Sequence, residues 1–289
     1  MRFLSVLLTS TALIFSSLHA CAASLVKTGE SIAFLGDSIT NQGAATPGGY
    51  VRLVESGLAA QGIQATIIPA GVDKHNSRDL LARVDADVLS QKPTWMTLSC
   101  GVNDVWQGDK GVALEDFKKN VTEILDRCQK AGVKVVILTA TQLKLPLTNG
   151  GNTKLVSYNE FLREIANARK LPLADVSEAM AAEQAKLESA GVKRELTTDG
   201  VHMNIYGNVM MAKTVLAAFG LNETQLAAAE SKWKEIPETC LTSAKISLSL
   251  AELAALEASA ESQNKSVEKM LNEFAASAIS AAVKGAPAK

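Results

Sequence analysis

The stretch Ser31-Ile32-Ala33-Phe34-Leu35-Gly36-Asp37-Ser38-Ile39-Thr40 decides the fold. Four apolar residues in succession run into a glycine, and an acidic and a hydroxyl residue follow at once. Apolar residues at successive positions fit a strand buried on both faces, and Gly-Asp-Ser is turn chemistry that leads into a helix. Runs of the same kind recur at Ala65–Pro69, Thr94–Ser99, Val133–Ala140 and, more weakly, Leu171–Val176. Between them lie segments of helical period. Ala113–Ala131 sets Leu114, Phe117, Val121, Ile124, Leu125 and Cys128 on one stripe and stops at Gly132, and Leu155, Tyr158, Phe161, Leu162 and Ile165 repeat the pattern. Strand and helix alternating at this spacing predict an α/β fold: a three-layer α/β/α sandwich around a mainly parallel five-stranded sheet. In such sheets chemistry sits where the carboxyl ends of the strands meet the loops.

Further from that stretch the composition narrows the field. The 289 residues are 47% apolar and 20% charged, the balance of an ordinary globular chain. With 29 basic and 30 acidic residues the net charge is −1, so no nucleic-acid partner and no anionic membrane surface is expected. Eighteen of the 19 glycines fall at or before Gly220, and the residues beyond change character. Leu221–Lys234 reads as a closing helix and Pro237 as a break. Lys245–Val283 reads as an Ala-rich helical pair interrupted at Gln263-Asn264, with Leu248, Leu250, Leu253, Leu256, Val267, Met270, Leu271 and Phe274 in one seam. The expected organisation is therefore an export signal over 1–22, a catalytic domain over 23–236 and a helical appendage over 237–289, which leaves self-association through the C-terminal helices open.

Met1–Ala23 has the marks of a signal peptide: Arg2, a largely apolar run from Phe3 to Leu18, and the small residues Ala20-Cys21-Ala22. Secretion or periplasmic export follows, with lipid attachment at Cys21 as the alternative. Hydroxyl residues interrupt the run, so stable membrane insertion is not expected. Removal of Cys21 leaves Cys100, Cys128 and Cys240, an odd set without paired spacing. Buried or unpaired thiols are expected, with a Cys128–Cys240 bridge as the alternative. No zinc-type spacing of Cys and His occurs, and no metal or cofactor is expected.

Three motifs at predicted strand ends and loops carry chemistry. In Gly36-Asp37-Ser38 a serine at a strand-to-helix turn presents its hydroxyl at the mouth of the sheet, and its own N–H faces an incoming oxyanion. The elbow pattern G-x-S-x-G is absent, which disfavours the α/β-hydrolase fold. In Gly101-Val102-Asn103-Asp104, Asn103 offers two N–H donors from a group that does not titrate. In Asp199-Gly200-Val201-His202, a carboxylate three residues before an imidazole can fix its tautomer and free the other nitrogen as a general base. His19 leaves with the signal, and His75 has no carboxylate at matching spacing.

Together Gly36-Asp37-Ser38-Ile39-Thr40, Gly101-Val102-Asn103-Asp104 and Asp199-Gly200-Val201-His202 resemble, in order, the first, third and fifth blocks of the SGNH hydrolases, also called GDSL esterases and lipases. The resemblance covers roughly residues 30–220. It implies a flavodoxin-like sandwich and ester hydrolysis through an acyl-enzyme, with Ser38 as nucleophile, His202 as base, Asp199 as its partner and Asn103 as an oxyanion donor. The second block departs from the family. Pro69 stands where an Asn is usual, Gly71 keeps the first glycine, and Lys74 replaces the last. The resemblance makes the backbone N–H at Lys74 a third oxyanion donor, provided its backbone is not forced to positive φ, which is costly for a residue other than glycine. Its ammonium would then narrow or charge the rim.

The expected substrate is a small-molecule or glycan ester with a short, acetyl-type acyl group, with Gly71 and Trp106 in the substrate-binding set. Trp95 falls inside a strand and reads as core. The alternatives are a lipase or thioesterase-type hydrolase of longer acyl chains, and a noncatalytic glycan-binding scaffold of the same fold.

Overall fold

A computed structural model describes residues 24–143, 150–237 and 246–285. The export signal, with Cys21, and Cys240 lie outside these residues. The chain divides into two compact units, Met1–Cys240 and Leu241–Lys289.

The first unit is built on five strands: β1 (Ser31–Gly36), β2 (Thr66–Gly71), β3 (Trp95–Ser99), β4 (Lys134–Leu138) and β5 (Leu173–Ala174). All neighbours are parallel, in the order β2-β1-β3-β4-β5. Each strand lies within a segment read as a strand from the sequence, save that β2 continues two residues beyond Pro69. That strand also departs from the fully buried expectation. It is an edge strand with most side chains partly or fully exposed, and the edge is where a proline, lacking an N–H, is tolerated in a sheet.

The connecting helices are α1 (Ser38–Ala45), α2 (Tyr50–Ala59), α3 (Ser77–Asp87), α4 (Val102–Trp106), α5 (Leu114–Lys130), α6 (Gly150–Arg169), α7 (Val176–Ser189), α8 (Ile205–Ala218) and α9 (Glu223–Trp233). Strand alternation divides the core into two layers. Ile32 and Phe34 of β1 and Val136 and Leu138 of β4 pack with α2, α7, α8 and α9. Ala33, Leu35, Val135 and Ile137 point the other way, against α3, α5 and α6. The predicted stripe on α5 is buried from Phe117 to Cys128. Trp95 is buried, its ring edge-on to Phe219 and its Nε1–H donating to Glu30. Cys100 and Cys128 are buried free thiols.

From β1 the chain turns one way to reach β2 and crosses back through α3 to β3. The C-terminal ends of β1 and β3 therefore flank the crevice where such a sheet reverses direction. Ser38 follows β1 and Asn103 follows β3, so the topology alone brings the first and third motifs together.

The second unit is a helical hairpin, α10 (Leu250–Ser262) and α11 (Val267–Gly285), turned at Asn264. The continuous seam read from the sequence does not form. Ala260 and Met270 are buried beside the turn, but Leu250 is 84% and Phe274 58% exposed.

Candidate active site

The Ser38 turn is held from below. Asp37 caps α1, its carboxylate accepting the Ile39 N–H at 2.9 Å, and Ser38 is the first helical residue, where backbone N–H groups have no partner within the helix. Thr40 and Tyr50 share a buried hydrogen bond of 2.9 Å. A Cβ at Gly36 would lie 2.1 Å from Thr40 Oγ1, so only glycine allows the turn to close over that pair. Burial pushes the Asp37 carboxyl up to about 6; the nearby Asp104 adds to this, while the Ile39 N–H and His202 oppose it.

The opposite wall is built locally. Thr197 and Met203 form an antiparallel bridge, and Thr198 N–H donates to His202 O at 2.8 Å. Within that loop Asp199 Oδ1 accepts the N–H groups of Val201 (2.9 Å) and His202 (2.8 Å). Its Oδ2 accepts from His202 Nδ1 at 2.7 Å. Partial burial disfavours the ionised carboxylate, but the His202 imidazole and these two backbone donors outweigh it and hold Asp199 at about 2. With Nδ1 donating to Asp199, the imidazole presents a bare Nε2, 2.9 Å from Ser38 Oγ. A serine and a histidine 164 residues apart thus share one hydrogen bond, and the Ser38–His202–Asp199 chain is continuous.

Asn103 completes the group from the first turn of α4. It is buried, and one N–H of its amide donates to His75 O at 3.0 Å. A side-chain amide carries two such hydrogens.

Lys74 stands at φ +66, so the condition attached to it in the sequence reading is not met: its backbone does take the conformation that favours glycine. The turn is closed by His75 N–H donating to Val72 O at 3.3 Å, and its third residue occupies the place type II turns reserve for glycine. The conformation is imposed from α4 and the residue beyond it. Gln107 Nε2 donates to Lys74 O, Asn103 donates to the next carbonyl, and Asn76 Nδ2 donates to Gln107 Oε1 at 3.2 Å. Several fixed partners make a left-handed lysine tolerable, at a cost of about 1–2 kcal/mol.

The cleft at this point has a volume of about 760 Å³, and Ser38, Lys74, Asn103, Trp106, Asp199 and His202 are all on its wall, with Gln42, Asp73, Gln107, Lys110 and Val201. Trp106 is 49% exposed there. Gly71 is not on the wall. A Cβ at that position would lie 2.3 Å from Asn41 N, so this glycine lets β2 lie against the backbone of α1.

Two residues that the motifs did not single out organise the site. Asp104 is buried and accepts the N–H groups of Ser77 (3.0 Å) and Gly101 (3.1 Å), which ties the loop after β3 to the start of α3; burial raises its carboxyl despite those donors. Arg83 of α3 donates from Nη2 to Gly36 O (2.7 Å), from Nε to His75 Nδ1 (3.0 Å) and from Nη1 to Asp87 (2.9 Å). It joins the Ser38 turn to the loop holding Lys74. Asp104 had a signal in its place beside Asn103. Arg83 had none, since the two partners that tie it to the site, His75 and Gly36, lie 8 and 47 residues away. Among the described residues no cluster of His, Cys, Asp or Glu could hold a metal ion, and no helix is long and apolar enough to cross a membrane.

An acetylxylan esterase of Geobacillus stearothermophilus is 25% identical over 214 residues, covering 68% of this chain and 96% of that protein. Its crystal structure superposes with a TM-score of 0.61 over 68% of this chain and 97% of the other. Esterase TesA of Pseudomonas aeruginosa is 26% identical over 191 residues, 64% of this chain and 87% of that one. The crystal structure of the acetyl xylan esterase AlAXEase is 31% identical, with a TM-score of 0.60 over 65% of this chain and 98% of the other. The family model of the GDSL-like lipases and acylhydrolases matches residues 34–209, the span that holds all three motifs, and the chain belongs to that family of ester-hydrolysing enzymes.

Proposed function

We propose that the protein is an exported serine esterase that removes short acyl groups, acetyl above all, from carbohydrates. The observation that carries the catalytic part is the continuous chain from Ser38 Oγ through His202 to Asp199, at 2.9 and 2.7 Å on the wall of an open cleft. His202 Nε2 takes the Ser38 proton as Oγ attacks the ester carbonyl, and Asp199, ionised throughout the working range, stabilises the imidazolium. The oxyanion is met by the Ser38 N–H at the start of α1 and the second N–H of the Asn103 amide; the Lys74 N–H, whose backbone is at positive φ, is not counted among the donors. The alcohol leaves with the proton from His202. Water, deprotonated by the same imidazole, then hydrolyses the acyl-enzyme.

The acetyl and carbohydrate parts rest on similarity to acetylxylan esterases, on the hydrogen-bonding side chains among the residues that line the cleft, such as Gln42, Asp73 and Gln107, and on the half-exposed Trp106, a flat apolar surface suited to a sugar ring. Export rests on the sequence of residues 1–23. A panel of p-nitrophenyl esters from acetate to palmitate, on the native enzyme and Ser38→Ala, tests catalysis and acyl length together. The expected result is Ser38-dependent turnover that falls steeply beyond short chains. Turnover that rises toward palmitate favours the long-chain reading. The mature N-terminus of the exported protein is expected at Ala23; an acylated Cys21 would make it a lipoprotein.

A further inference from the structure

Lys74 keeps a side chain at a turn position where glycine would stand without strain. The other non-glycine residues at positive φ among those described, Lys92, Lys170 and Asn264, each lie just past a helix end, where a left-handed residue is an ordinary cap. Lys74 ends no helix and stands on the wall of the catalytic cleft. A strained side chain at such a place calls for a ligand-side reason.

Lys110, at the end of the short turn Gly108–Lys110, is on the same wall. Neither ammonium is paired with a carboxylate among the described residues. The two carboxylates of the cleft are each engaged, Asp199 by His202 at 2.7 Å and Asp73 by Asn41 Nδ2 at 2.8 Å. The cleft thus offers two lysines that pair with no carboxylate among the described residues, set against the charges of Asp73 and Asp199.

We propose that the cleft selects esters whose alcohol carries a carboxylate, the acetylated acidic sugars, with Lys74 and Lys110 facing the acid group and Trp106 beside the ring. This rests on the acetyl-esterase reading: an acetyl group is neutral, so the charge that two lysines recognise belongs to the alcohol.

The test compares kcat/KM for a mono-O-acetylated methyl glucuronide and the corresponding neutral methyl glucoside, with p-nitrophenyl acetate as a common reference. The native enzyme is expected to prefer the anionic ester by about tenfold at low salt, with the preference shrinking as salt screens it. Lys110→Gln and Lys74→Gln should each lower the anionic-to-neutral ratio by about fivefold, and Asp73→Asn should raise it. Thermal unfolding of each variant establishes that it is folded. A native ratio of one or less, a ratio unmoved in both lysine variants, or a stronger preference for a hemisuccinyl over an acetyl ester of one neutral sugar would overturn the proposal. Loss of the acetyl-esterase reading shows separately, as p-nitrophenyl acetate that is not turned over in a Ser38-dependent way.

Discussion

The turn that carries Ser38 and the loop that carries Asp199 and His202 meet at a single hydrogen bond, yet they are built in opposite ways. Around Ser38 the neighbours are buried, Asp37 and Thr40 included, and the stabilising contacts come from far along the chain: Tyr50 of α2 and Arg83 of α3. Around His202 the surface is open, with the Asp199 side chain 52% exposed. Its contacts stay local: Asp199 with Val201 and His202, Thr197 with Gly200, Thr198 with His202, Thr197 with Met203. One half of the machinery is fixed by the packing of layers, the other by a short loop that organises itself. A nucleophile needs an immobile base beneath it, because its approach to the carbonyl is set to fractions of an ångström. An acid–base pair needs one orienting carboxylate and access to water.

The comparison can be broken most sharply at its meeting point. Ser38→Ala is expected to lower kcat on an acetyl ester by roughly a thousandfold or more, as in other Ser-His-Asp sites; near-native turnover would remove Ser38 as nucleophile. Asp199→Asn keeps the loop but removes the charge that orients His202, and a loss of about a hundredfold or more in kcat is expected, with little change in KM. Because the ionised carboxylate also contributes stability above about pH 4, that variant should unfold at a somewhat lower temperature than the native protein near neutral pH and at nearly the same one near pH 2.

Arg83→Met tests the buried half. It strips the partner from Gly36 O and from His75 Nδ1, and a buried hydrogen bond to a charged group contributes about 1.5–3 kcal/mol. Both Tm and kcat should fall, kcat by about tenfold. A fall in Tm alone would make Arg83 a packing residue and not a positioning one.

Asp37→Asn sharpens the same half through pH. The folded carboxyl titrates near 6 and the unfolded one near 3.8, so the folded state holds its proton more tightly. The stability this group contributes is complete below about pH 4 and is lost as pH rises through 6. Asparagine caps α1 equally well and does not ionise, so the variant should gain up to about 3 kcal/mol over the native protein at pH 7 and little at pH 4. Denaturant unfolding at the two pH values measures this. Asp199 has the opposite sign: its folded value of about 2 lies below the unfolded one, so its contribution is present above about pH 4 and fades as pH falls toward 2. The smallest effect is expected from ending the chain after Pro237. Both clusters of core residues lie within the first unit, so kcat should stay close to native, while size-exclusion chromatography shows whether the C-terminal helices join copies of the protein.

The local half was the more legible from sequence. A carboxylate three residues before a histidine, across a glycine, is a hydrogen-bonding unit written in consecutive residues. The strands were legible for a related reason: burial on both faces demands unbroken apolar runs, and β1 stands where the run ends at Gly36. At β2 the same rule overreached, since an edge strand needs no such burial and accommodates Pro69. Gly71 was read for chemistry because it kept a motif position, whereas its reason for being glycine is the backbone of α1 pressed against it. The seam of the C-terminal helices was over-read from spacing, because periodicity names a face but not what covers it.

The sequence by itself determined the alternation of strands and helices, the candidates for the reactive side chains and the pairing of Asp199 with His202, all consequences of neighbours a few residues apart. The tertiary structure decided which of these meet: Ser38 with His202 across 164 residues, Arg83 beneath the turn, Asn103 and Gln107 on the carbonyls that hold Lys74 left-handed. Such contacts depend on the order of strands in the sheet and on the layer each helix joins. Both follow from burial summed over the whole chain, which no short motif records.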